Sequence, residues 1–149
     1  MEFFKADAVE EIANELIRTI PEHSHLAHAR IAYRFREKAA TKGGKIVYAT
    51  MRKCPERFAA LAKDENPDPN AKEFDFFLEI GFDAWQNLTD LQKHALVDHE
   101  LCHAFGEENE EGFMVWSTLP HDFEGFVGNV KRYGLWDPQY ESARDALNS

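Results

Sequence analysis

Cysteine is scarce in this 149-residue chain, which has only Cys54 and Cys102. That scarcity excludes a disulfide framework and a four-cysteine zinc ribbon, and both thiols suit a reducing compartment. Long apolar runs are missing too. Stretches such as Phe76 to Ile80 and Phe113 to Trp116 fall far below the ~20 residues of a membrane span, so no membrane partner is expected. The N-terminus, Met1-Glu2-Phe3-Phe4-Lys5, lacks the basic region, apolar core and small-residue cleavage site of an export signal. A cytoplasmic location is the expectation. Basic side chains are outnumbered, 17 against 27 acidic ones, for a net charge of −10. Such a chain repels phosphate backbones, so direct nucleic-acid binding is not expected. The cluster Arg30, Arg34, Arg36 and Lys38 reads as the solvated face of a strand. Repeats, low-complexity tracts and dividing linkers are absent, which predicts one domain over 1–149, and 44% hydrophobic residues suffice for its core.

Asp7 with Glu10 three residues later reads as a helix cap. Val9, Ile12, Ala13, Leu16, Ile17 and Ile20 then recur at helical spacing until Pro21 stops the run. Ile31, Tyr33 and Phe35 alternate with Ala32, Arg34 and Arg36, and after the Gly43-Gly44 turn Lys45 to Thr50 makes a second β-rich run. Two adjacent strands, arranged as a hairpin, are the simplest expectation. Pro55 to Ala62 predicts a short helix, and Asp64 to Asn70 a loop. Phe74, Phe76, Leu78 and Ile80 predict a strand of period two. Thr89 and Gln92 form a capping box for a helix expected to reach Phe105 and to end at Gly106 in the left-handed conformation. Phe113 to Trp116 reads as a strand or an apolar lid. Pro120 opens a helix with Phe123, Phe126, Val127 and Val130 inward, ending near Gly134, and 137–149 reads as a short peripheral helix.

The capped helix carries His99-Glu100-Leu101-Cys102-His103. Residues four apart share a helix face, so two imidazoles can meet one Zn²⁺. Glu100 sits ~100° round from His99, where it reaches a water held by the metal better than the metal itself. That geometry suits a general base, which takes a proton from the water and passes it to a leaving amine. With seven His and seventeen Glu in the chain, chance would produce this five-residue pattern about 0.04 times, so the match carries information. The site also needs a third protein ligand. His121, at the start of the helix opened by Pro120, is the first candidate and Glu124, one turn further on the same face, is the second. If His121 ligates, Glu124 or Asp122 can accept its other ring N–H.

The stretch Ala95 to His103, then His121-Asp122-Phe123-Glu124-Gly125-Phe126 and Arg132-Tyr133-Gly134-Leu135-Trp136, resembles the putative phage metallopeptidase family. The resemblance extends through His25-Leu26-Ala27, Arg30-Ile31 and Phe74 to Trp85. More distantly, two helical histidines followed by a later one before an aromatic residue are similar to the SprT-type zincins. The chain departs from that pattern in lacking a Cys-rich ribbon and in being acidic. The resemblance implies a minimal zincin fold with His99, His103 and His121 as zinc ligands, acting in the host cytoplasm if the chain is phage-encoded.

The expected fold is therefore α+β, a zincin-like domain with a small, mainly antiparallel sheet packed on helices and the metal helix behind it. The expected function is a zinc metallopeptidase acting on a peptide or protein substrate, with Glu100 as general base. The strand from Glu73 to Ile80 is expected to hold the substrate by edge pairing. The alternative is a zinc-stabilised binding or host-interaction module without catalysis. Oligomeric state and cleavage specificity are not written in the sequence.

Other conspicuous residues have plainer readings. His23, His25 and His28 read as a solvated loop, with a second metal site as the alternative. His94 points off the ligand face, and Asp98 either orients a ligand or covers the helix surface. Cys102 reads as a packing thiol. Tyr133 and Tyr140 are core or surface residues before they are oxyanion donors, and Glu107, Glu108, Glu110 and Glu111 form a solvated acidic run.

Overall fold

In the computed structural model, residues 2–54, 74–120, 127–134 and 136 are described. The expected helix at Pro55 to Ala62, the loop at Asp64 to Asn70 and the tail from Asp137 lie outside them, as do His121, Asp122, Phe123, Glu124 and Phe126.

The chain is α+β. Strands β1 (Phe3–Lys5), β2 (Ile31–Arg36), β5 (Ala49–Lys53) and β6 (Phe76–Gly81) form a four-stranded sheet in the order β1-β2-β6-β5. The outer pairs are antiparallel and the central β2–β6 pair is parallel. Alternation decides which face is covered. Tyr33 lies opposite Leu78, which in turn faces Met51, and all three are buried with Phe35, Phe76 and Ile80. Helix α1 (Asp7–Thr19) turns Val9, Ala13 and Leu16 inward, as its spacing predicts. Its N-cap, however, is Ala6 without a side-chain bond; Asp7 lies inside the first turn, where it favours the positive end of the helix dipole.

Four expectations about strands are corrected. The run from Lys45 to Thr50 breaks at Tyr48 into β4 (Lys45–Val47) and β5. β4 pairs with β3 (Ala40–Lys42) around Gly43 and Gly44, whose φ values of 59° and 78° demand glycine, so the hairpin does not include β2. β6 is not an edge, because it is bonded on both sides, to β2 and to β5. Its core face is Phe76, Leu78 and Ile80, whereas Phe74 precedes the strand and is exposed.

After the short helix α2 (Phe82–Gln86) comes α3 (Asp90–His103), which packs against α1, β5 and α4 (Val127–Tyr133). The Thr89–Gln92 capping box forms as expected, with the Thr89 hydroxyl accepting from Gln92 N–H and the Gln92 side chain accepting from Thr89 N–H. The far end differs. α3 stops at His103, and Gly106 lies within strand β7 (Ala104–Glu108), paired antiparallel with β8 (Met114–Thr118). Glycine is required at 106 for space, since a Cβ there would run into the Trp116 ring laid across the strand. Among the described residues, no helix is long and apolar enough to cross a membrane.

Candidate metal centre

His99, Glu100 and His103 converge as their spacing predicts. Their ligand-capable atoms all lie within 4.8 Å of one another. His99 and Glu100 are buried and His103 is half-buried. The two imidazole rings stand edge to face, with centroids 5.3 Å apart. His103 is fixed twice to the chain after β8: Nδ1 meets Leu119 O at 2.7 Å, and Leu119 N–H donates to His103 O at 2.7 Å. A carbonyl can only accept, so Nδ1 carries a proton, and in the neutral ring the lone pair is then on Nε2. This is the tautomer a metal ligand needs.

Glu100 lies between α3 and the sheet. Burial pushes its carboxyl up to about 8, although a hydrogen bond from the Met51 backbone works in the opposite direction. Gly81 N–H bonds to Tyr48 O, and Cys54 N–H bonds to Asp75 O, so even-numbered β5 residues face β6. The odd-numbered ones, Met51 among them, present their backbone groups to the opposite edge, beside Glu100. Among the described strands, β5 is therefore an edge beside the motif, the place expected for β6.

Two imidazoles with a carboxylate beside them form a donor set suited to a divalent transition ion such as zinc, so these residues fit the metal that the motif implies. His121 and Glu124, the candidates for the third ligand, are outside the described residues.

The reading of His23 as a solvated loop residue is overturned. It lies in a 3₁₀ segment (Pro21–His28), is 1% exposed, and its Nε2 donates to Asp98 Oδ1 at 2.7 Å. Asp98 is itself fully buried. It also accepts from Asn129 Nδ2 at 2.7 Å and from Arg132 Nη2 at 2.8 and 2.9 Å. Burial alone would raise the Asp98 carboxyl, but the bonds from His23, Asn129 and Arg132 outweigh it and hold the group below its usual range. Asp98 thus orients its surroundings and does not cover a surface. His23, Asp98 and Cys102 are close enough to share a cation. Arg132 already supplies the positive charge there, and burial raises the Cys102 thiol to about 12, which keeps it protonated. His25 donates from Nε2 to Ala104 O at 3.1 Å, tying the 3₁₀ segment to the end of α3.

The sequence reading did not weigh Asn129. An amide in an otherwise apolar helical run was the available signal, because a buried amide needs partners. Here the partners are Ala95 O, Asp98 and the Trp136 indole.

The family model described as "Putative phage metallopeptidase" matches residues 1–144. None of the curated proteins and none of the solved structures matches.

Proposed function

Since the chain belongs to the putative phage metallopeptidase family, we propose that it is a zinc-dependent peptidase in which His99 and His103 hold the metal and Glu100 is the general base. The observation that carries this reading is the meeting of two imidazoles and a buried carboxylate within 4.8 Å, with the His103 tautomer already set for a ligand. Zinc, when bound, supplies a Lewis acid that polarises the peptide carbonyl and makes water more acidic. Glu100 takes the proton from the attacking water and delivers it to the departing amine. Met51 N–H steadies that carboxylate from the sheet side.

His121 is our third ligand, ahead of Glu124. Its support is that Leu119 is bonded twice to His103, and His121 follows Leu119 by only two residues. The substrate is a peptide or protein in extended form, paired along the outer edge of β5 next to Glu100. On this reading the site of action is the host cytoplasm, where both thiols stay reduced.

The test is incubation of zinc-loaded protein with unstructured peptides, with new termini identified by mass spectrometry. Wild type should cleave, and Glu100→Gln should keep its zinc while turning over at least ~10²-fold more slowly. Zinc-loaded wild type that cleaves nothing would favour a metal-stabilised binding module. Equal rates in wild type and Glu100→Gln would remove Glu100 from the chemistry.

A further inference from the structure

Trp136 stands apart in sequence from the metal helix and is held against it by three contacts, two made directly and one through Asn129 of α4. Its indole Nε1–H donates to Asn129 Oδ1 at 2.7 Å, its carbonyl accepts from Gln92 Nε2 at 3.4 Å, and its ring meets His99 edge to face with centroids 6.1 Å apart. Both it and Asn129 are buried.

The Asn129 amide can sit in only one orientation. Its nitrogen donates to Ala95 O at 2.9 Å and Asp98 Oδ2 at 2.7 Å, both pure acceptors here, while its oxygen receives the indole N–H, a pure donor. Turning the amide over would set N–H against N–H and oxygen against oxygen, at a cost of several buried hydrogen bonds. Ala95 lies one turn before His99, and Asp98 immediately precedes it, so Asn129 holds one backbone carbonyl and one side chain of the turn that carries His99. Gln92 doubles as the capping-box residue of the same helix. Trp136 is therefore fixed at its ring by Asn129 of α4, which is itself bonded to α3, and at its backbone by Gln92 of α3.

We propose that Trp136 is a positioning residue for His99, a wall clamped by Asn129 and Gln92 that holds the imidazole in the orientation from which it binds metal. His103 is set by a hydrogen bond to Leu119, and the His99 ring packs edge to face against both Trp136 and His103. An edge-to-face aromatic contact restrains ring rotation without occupying a ring nitrogen, which a ligand requires. The inference rests on the zinc reading above, but its spectroscopic arm does not.

The test compares wild type with Trp136→Phe, which keeps an aromatic ring but loses the indole N–H and part of the wall. Two quantities are read: zinc affinity by competition with a chromophoric chelator, and the ring resonances of His99 and His103 in long-range ¹H–¹⁵N spectra of the metal-free protein. Trp136→Phe should bind zinc ~10-fold or more weakly, the range for residues that orient a ligand. It should also shift the His99 ring signals while leaving those of His103 in place. Unchanged affinity with unchanged His99 signals would overturn the proposal, as would equal disturbance of both rings, which would mark general loosening. If wild type takes up no zinc, the metal reading fails, and the His99 signals alone decide the positioning role in the same two directions. Asn129→Ser, which leaves the indole in place but unclamps it, is read identically if Trp136→Phe does not fold.

Discussion

His23 Nε2 donates to Asp98 Oδ1 at 2.7 Å across a separation of 75 residues, with both side chains out of solvent. The bond ties the 3₁₀ segment to α3 at the residue before His99. Arg132 brings α4 to the same carboxylate, so one buried anion joins three parts of the chain. Removing it would strand a partly buried guanidinium and a buried imidazole. Asp98→Ala should therefore cost roughly 3–5 kcal/mol, the usual penalty for breaking a buried ion pair from one side. Urea denaturation of the metal-free protein measures it, and a loss below ~1 kcal/mol would show that the network carries little of the stability.

Burial holds Glu100 protonated to about pH 8 in the metal-free protein, against an ordinary value of 4.5. The folded state thus binds a proton that the unfolded state has already released, and the stability this contributes is present below pH 4.5 and lost as pH rises through 8. The slope should be about 1.4 kcal/mol per pH unit within that window from this one group. Glu100→Gln, which cannot ionise, should flatten this part of the curve. Equal pH dependence of urea midpoints in wild type and variant between pH 5 and 8 would contradict the burial of this carboxyl.

The place of Gly106 under Trp116 gives a packing prediction. Gly106→Ala should destabilise by ~1–3 kcal/mol, because a rigid indole in contact with Phe76 has to move. Combining it with Trp116→Leu should recover part of the loss, since the obstacle is then gone. Thermal unfolding of the two single variants and the double variant checks both statements, and strict additivity would mean that the two residues do not collide.

Local signals were well written in the sequence. The apolar spacing of α1, the Thr89–Gln92 box, the alternation of β2 and, from Phe76 onward, that of β6 depend on neighbours a few residues away, and these form as read. The motif residues converge for the same reason, since a helix fixes the i, i+4 relation. What stayed illegible depends on partners far along the chain. Nothing near Glu73 to Ile80 says that β6 will be flanked on both sides, because strand order is decided by crossovers. His23 looked like a loop histidine because its partner lies in another element. Gly106 looked like a helix terminator, but the bonds between His103 and Leu119 draw the chain into the β7–β8 hairpin first.

The third ligand is decided by two variants. His121→Ala should lose most of its zinc affinity, while Glu124→Ala should lose only ~10–100-fold by ceasing to orient the histidine. Wild-type affinity in His121→Ala together with metal loss in Glu124→Ala would replace three neutral ligands by two histidines and a carboxylate. The bound water would then be less acidic.

Zinc content tests the central claim most directly. Protein purified without added metal and analysed by inductively coupled plasma mass spectrometry should carry about one Zn²⁺ per chain, and His103→Ala, measured in parallel, should carry almost none. Zinc retained undiminished in His103→Ala, with the fold intact by circular dichroism, would contradict the assignment of the metal to this helix.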